Sequence, residues 1–215
     1  MPIKSAGDKP DPQSKPIKRD PARSKLRILS AALEEFSRQG FAGGRVDVIA
    51  RRAGINKRML YHYFGDKQGL FREVMHRKMV QREAWLVGAP EDPLDILAYW
   101  FQVACNDSEW VRLLEWEALQ LADAPLANGA KRRASCRRFM RRIRKSQRLG
   151  RMSKDFDPGQ VALTVMALTT FPLAFPQMTW IATGMLPTDP KFQRQRVKFL
   201  SQFAAALRPK NSPAA

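Results

Sequence analysis

The chain has little of what catalytic and metal sites need. In 215 residues it holds two cysteines, Cys105 and Cys136, and two histidines, His62 and His76. There is no CxxC pair, so neither a disulfide framework nor a zinc site is expected, and the thiols suit a reducing compartment. No glycine-rich phosphate loop occurs, and no nucleophile and base stand in a pattern that assembles a catalytic set. An enzyme, a bound metal and a cofactor are therefore not expected. Residues 1–23 contain no apolar core of the kind a secretory signal carries, which points to a cytoplasmic setting. Acid is scarce as well: 20 Asp and Glu stand against 38 Lys and Arg, for a net charge of +18. That imbalance points toward a polyanion.

The excess base is not spread evenly. Residues 1–80 carry +10, residues 131–151 carry 11 Lys and Arg with no acid, and the remainder is near −3. Two basic zones need two explanations. Residues 160–188 carry no charge at all and are long enough to span a bilayer. Pro172, Pro176, Gln177 and Gly184 interrupt them, and Thr164, Thr169, Thr170, Thr179 and Thr183 are scattered through them. A buried helix, or one sealed against a partner chain, is the better reading, and no membrane is expected.

The informative stretch is 46–64, VDVIARRAGINKRMLYHYF. Val46, Ile49, Ala50 and Ala53 fall at helical spacing. Gly54 follows where a left-handed residue ends a helix without Cβ strain. Asn56 is placed to N-cap a second helix. That helix sets Leu60 and Phe64 on one side and Lys57, Arg58, Tyr61 and His62 elsewhere. Two short helices joined by a glycine turn, the second with a basic and aromatic outer face, form a helix-turn-helix suited to a major groove. Asp20 and Pro21 begin a bracing helix before it, with Leu26, Leu29, Leu33 and Phe36 on one face as far as about Gln39, and Gly40 stops it.

Ile49-Ala50, Ala53-Gly54-Ile55, Leu60-Tyr61-His62-Tyr63-Phe64, Lys67 and Leu70-Phe71 together resemble the TetR family of bacterial transcription regulators, most strongly over residues 24–71. The resemblance implies an all-α chain of about nine helices. A three-helix helix-turn-helix DNA-binding domain, residues 20–66, would precede a helical ligand-sensing and dimerisation domain, residues 67–208. A basic arm, 1–19, and a tail, 209–215, are too polar to bury a core and are expected to be disordered. The partners implied are double-stranded DNA, a second copy of the chain, and a small-molecule effector whose identity the sequence does not give.

The same resemblance assigns backbone phosphates to Tyr61 and Tyr63, though packing in the three-helix core suits Tyr63 equally well. His62 would lie at the groove, and Lys67 would hold phosphate beside a fourth helix capped by Asp66. The chain departs from the family pattern in three places. Gly44 and Arg45 stand where Thr or Ser usually caps the second helix, so the cap is weaker but Arg45 can meet phosphate. Asp47 can accept from a cytosine amino group or simply favour the helix N-terminus, the reading preferred here. Arg58 and Met59 replace a small residue or proline and a threonine. Arg58 can read guanine, and Met59 can meet a thymine methyl. The expected DNA contacts are thus Arg45, Asn56, Lys57, Arg58, Met59, Tyr61, His62, Tyr63 and Lys67.

Further along, helices are expected over residues 66–87, 93–106, 109–122, 131–151, 158–174 and 190–207. All five tryptophans follow the reading head, a composition that suits an apolar cavity. Met75, Met79, Trp100, Trp116, Glu117, Phe139, Phe171 and Phe175 are the candidates to line it. The apolar helix 158–174 and the amphipathic helix 190–207 resemble the family's four-helix dimer interface, with Val161, Val165, Leu168, Phe192, Phe199 and Phe203 as candidates. The basic helix 131–151 can contact phosphate, touch anionic lipid or stay solvated. Against a sequence-specific regulator stands one alternative, an architectural protein that binds DNA by charge alone.

Overall fold

A computed structural model describes residues 20–85, 88–120 and 126–209. The basic arm and, apart from Pro209, the tail lie outside the described residues, as do the expected ends of the fourth and sixth helices. Among the described residues there are ten helices and no strand. They are α1 (Pro21–Gly43), α2 (Val46–Arg52), α3 (Lys57–Phe64), α4 (Lys67–Trp85), α5 (Ile96–Cys105), α6 (Ser108–Gln120), α7 (Gly129–Arg148), α8 (Pro158–Ala174), α9 (Pro176–Thr183) and α10 (Pro190–Ala206).

One device starts three of them. Asp20, Asp157 and Asp189 each accept hydrogen bonds from amides of the following first turn, and each precedes a proline that needs no amide partner. Gly40 does break the first helix: it takes φ 70° and ψ −178°, and the chain then makes one further turn to Gly43. The tenth helix is the short α9, which the apolar run around Pro176 did not predict. Proline at its start, and Thr179 Oγ1 donating to the Pro172 carbonyl at 2.9 Å, fix the corner between α8 and α9. The two helices meet at 89°, and no single described helix is long and apolar enough to cross a membrane.

Two apolar cores result. The first joins Ile28, Phe36, Ile49, Leu60, Leu70, Phe71 and Met75 of α1 to α4, and it also takes in Leu113 from α6. The second joins Leu97, Phe101, Ile143, Val165, Phe192 and Leu200 of α5, α7, α8 and α10. Between them lies a charged layer. Lys78 of α4 is buried against Asp107, and Arg82 reaches the same carboxylate at 3.4 Å while lying over the rings of Trp100 and Trp110. The Asp107 carboxylate, just before α6, thus serves two cations of α4. Burial pushes the pKa of Arg82 down and Asp107 pulls it back up.

Candidate nucleic-acid interface

The turn between α2 and α3 is closed entirely by backbone. Gly54, at φ +61°, donates to the Arg51 carbonyl, and Ile55 donates to the Ala50 carbonyl. These two bonds make a Schellman motif and satisfy the last carbonyls of α2. Asn56 then caps α3 by accepting from the Arg58 amide at 2.7 Å. Leu60, fully buried, holds the inner face of α3 against the first core. Truncating such a leucine typically costs about 2–5 kcal/mol, which sets the scale of the anchor.

What remains faces water. Lys57, Arg58, Tyr61 and His62 are exposed, with Met59 half-buried beside them. Lys57 Nζ lies 5.9 Å from the Tyr61 ring. Tyr63 is half-buried and packs on the first core, which is the structural role that competed with phosphate binding for this residue. Arg45 is exposed and pairs with Asp47 at 2.9 Å, a contact that holds the Asp47 carboxyl below the usual carboxylate range. Lys67 is half-buried: its Nζ donates to the Ala42 carbonyl at 2.9 Å and lies over the Phe41 ring, and burial lowers its pKa. Asp66 caps α4 through the Gly69 amide, as expected.

Sequence reasoning missed three contributors. Arg27 of α1 and Arg51 of α2 join Arg58, Met59 and His62 around an open groove of about 620 Å³ beside the Gly54 turn. Arg27 sits on the bracing helix, and only the packing of α1 across the turn brings it there. The third is Glu35, buried on α1. It accepts from the Arg45 amide at 3.1 Å and from Arg52 at 3.2 Å, so it grips both ends of α2. The uncapped start of α2 is thereby satisfied from a neighbouring helix.

The comparisons with known proteins agree with this geometry. Residues 28–74 match the family model described as bacterial regulatory proteins, tetR family, and residues 95–204 match a tetracyclin repressor-like C-terminal domain. The chain is 32% identical to the HTH-type transcriptional repressor SCO4008 of Streptomyces coelicolor, over 77% of this chain and 86% of that one. The chain belongs to the TetR family. It is a DNA-binding transcriptional regulator. Another relative, the HTH-type transcriptional repressor NicS of Pseudomonas putida, is 36% identical over 45% of this chain and 49% of its own. Among solved structures, SCO4942 from Streptomyces coelicolor superposes with a TM-score of 0.73 at 25% identity, covering 88% of this chain and 99% of that one. FadR from Bacillus subtilis, solved in complex with stearoyl-CoA, shares the TetR fold at a TM-score of 0.61 and 16% identity, over 82% of this chain and 97% of its own.

The other candidate residues are spread through the fold. The eight side chains expected around a ligand do not gather. Met75 is wholly buried in the first core, and Trp116 donates to the Ser37 carbonyl of α1 at 3.3 Å. Met79 is buried on α4, Phe139 packs on the second core, and Phe171 and Phe175 pair with each other on an exposed face. Trp100 lies under Arg82, and buried Glu117 pairs with Arg132 at 2.6 Å, leaving its Oε1 without a hydrogen bond. Two of the six interface candidates, Phe192 and Val165, face inward. Both are buried in the chain's own second core, Phe192 against Phe101, because the inner stripes of α8 and α10 close that core. Val161, Leu168 and Phe203 are half-buried on the same core, and Phe199 is exposed and stacked on Phe203. The residues exposed on α8 and α9 are others: Leu163, Met166, Met178, Trp180 and Ile181.

Proposed function

We propose that the chain acts as a homodimeric repressor in the bacterial cytoplasm. Two copies of the reading head, residues 20–66, would lie on a pseudo-palindromic operator and be released when a small molecule binds in the sensing and dimerisation domain, residues 67–208. The observation that carries the DNA half of this reading is the outer face of α3. Lys57, Arg58, Tyr61 and His62 are all exposed on a helix whose opposite side is locked by Leu60. Arg58 is the residue to read a base edge. Lys57, Tyr61, Arg27 and Arg51 hold phosphates, and Arg45 does so when it exchanges Asp47 for DNA.

Support for the dimer comes from α8 and α9. Trp180 is 57% and Ile181 68% exposed, with Leu163, Met166, Phe171, Phe175 and Met178 also open. An apolar face of that extent on a soluble chain marks an association surface. A two-fold pair built on it presents the same face twice and sets two reading helices about 34–36 Å apart. Release then follows from population shift: an effector that binds better when α4 is pivoted draws the heads away from groove spacing. The stearoyl-CoA complex of FadR supports an effector of small-molecule size within this fold, not its identity here.

Selection of bound sequences from random duplexes, repeated with a metabolite mixture, tests the whole reading. It is expected to return two half-sites about one helical turn apart and to lose enrichment with one fraction of the mixture. Sedimentation of a lone subunit removes the dimer. Equal affinity for selected and random duplexes at one salt concentration removes sequence reading and leaves the charge-driven architectural role.

A further inference from the structure

The basic helix α7 is only partly accounted for by DNA binding or by pairing. Arg132 and Arg138 meet Glu117 and Glu83, and Lys131 meets His76. At the C-terminal end of the helix the pattern changes. Arg142, Lys145 and Arg151 converge with Ser146, Glu91 and Asp92 around a pocket of about 330 Å³. The two acids do not neutralise it. Asp92 is buried and already bound by Arg208 at 2.6 Å and by the Leu94 amide. Glu91 is 81% exposed at its side chain and stands 3.8 Å from Lys145, a loose surface pair of little strength. Arg142 donates to the Pro90 carbonyl, which uses one of its five N–H groups. Arg151 has no acidic partner among the described residues. Ser146, 4% exposed in the pocket wall, has a buried hydroxyl with no hydrogen-bond partner.

Three like charges held around one concavity repel each other, and an unpaired buried hydroxyl is costly. An anion in the space offsets the repulsion and offers the hydroxyl an acceptor once the Ser146 side chain turns toward it. We propose that this pocket binds a compact, multiply charged anion, a metabolite bearing phosphate or carboxylate groups. Two guanidinium groups supply planar donor pairs that match either headgroup, Lys145 supplies a mobile point charge, and Ser146 supplies a neutral donor. The volume sits at the low end of small-molecule sites, roughly 300–1,000 Å³, so an anion with a short organic body fits better than a long one. The site is separate from the α3 face and stands or falls without it.

The test is calorimetric titration of the full chain with inorganic pyrophosphate and with citrate at one fixed ionic strength. One saturable site per chain is expected for at least one of the two, and the tighter of them identifies the headgroup. Arg151→Ala and Ser146→Ala are each expected to weaken that binding, the arginine by about tenfold or more. Arg144→Ala removes the same charge from the exposed outside of the same helix and is expected to leave it unchanged. No saturable binding of either anion overturns the proposal. So does an Arg144→Ala loss equal to that of Arg151→Ala, which marks diffuse attraction to a cationic chain.

Discussion

Lys78 Nζ lies 2.5 Å from Asp107 Oδ1, and both side chains are buried. The pair ties the middle of α4 to the junction of α5 and α6, with Glu109 as a second acceptor at 2.9 Å. Removing one member of a buried pair strands the other charge, which typically costs about 3–5 kcal/mol. Lys78→Met is expected to fall near the low end, because Arg82 remains 3.4 Å from Asp107. Urea unfolding should show a lower midpoint at an unchanged slope. A loss under about 1 kcal/mol, the range of an exposed pair, would show that Arg82 alone suffices.

Arg58→Ala is expected to cost roughly 1–3 kcal/mol on a selected duplex and to relax preference at one base position. Competition binding against a panel of single-base variants measures both. An equal loss on every duplex would make Arg58 a phosphate contact.

Arg27 and Arg51 border the groove from α1 and α2 rather than from the recognition helix. Each alanine variant is expected to weaken all duplexes alike and to reduce the slope of log affinity against log salt by about one. Lys67→Ala offers the contrast. Its ammonium is already held by the Ala42 carbonyl, so the slope should stay the same while the melting temperature drops.

A Cβ added to Gly69 would stand 2.1 Å from the Phe64 carbonyl oxygen. Backbone must move to admit it, and overpacking of this kind costs about 1–3 kcal/mol. Gly69→Ala should therefore lower the melting temperature and shift α3 enough to weaken DNA binding. At Gly43 the same added atom meets Gln39 at an ordinary 3.5 Å, so Gly43→Ala should be neutral or slightly stabilising. Differential scanning calorimetry separates the two.

Burial pushes the Cys105 thiol up to about 11. The fold accepts the protonated thiol and resists the thiolate. Its contribution is intact below the ordinary thiol range, about 8.5, and declines as pH rises toward 11. In a Cys136→Ser background, alkylation of the folded chain should keep accelerating past pH 9.5. A plateau near pH 9 would place the thiol in water.

The reading head was legible because its determinants are local. A glycine at a left-handed turn, Asn56 one step before a helix, and Leu60 opposite Arg58 are all visible as neighbours in sequence. Asp20-Pro21 announced its helix for the same reason. What escaped was long-range. Glu35 serves Arg45 ten residues away, and Arg27 reaches the groove only after α1 packs across it. The apolar faces of α8 and α10 each carry two stripes, and periodicity alone did not say which one turns inward. Val165 and Phe192 took the inner stripe, while Met166 and Phe199 stayed out.

Trp116 reaching Ser37 has a mechanical meaning. The head meets the body through α4 and through the seam where α1 rests on α6. Among the described residues that seam carries the long Trp116–Ser37 hydrogen bond and otherwise apolar contact, which has no preferred direction. Prying it open is expensive, whereas gliding along it is cheap. In the proposed dimer, a change in head spacing is expected to come from slippage along that seam more readily than from detachment.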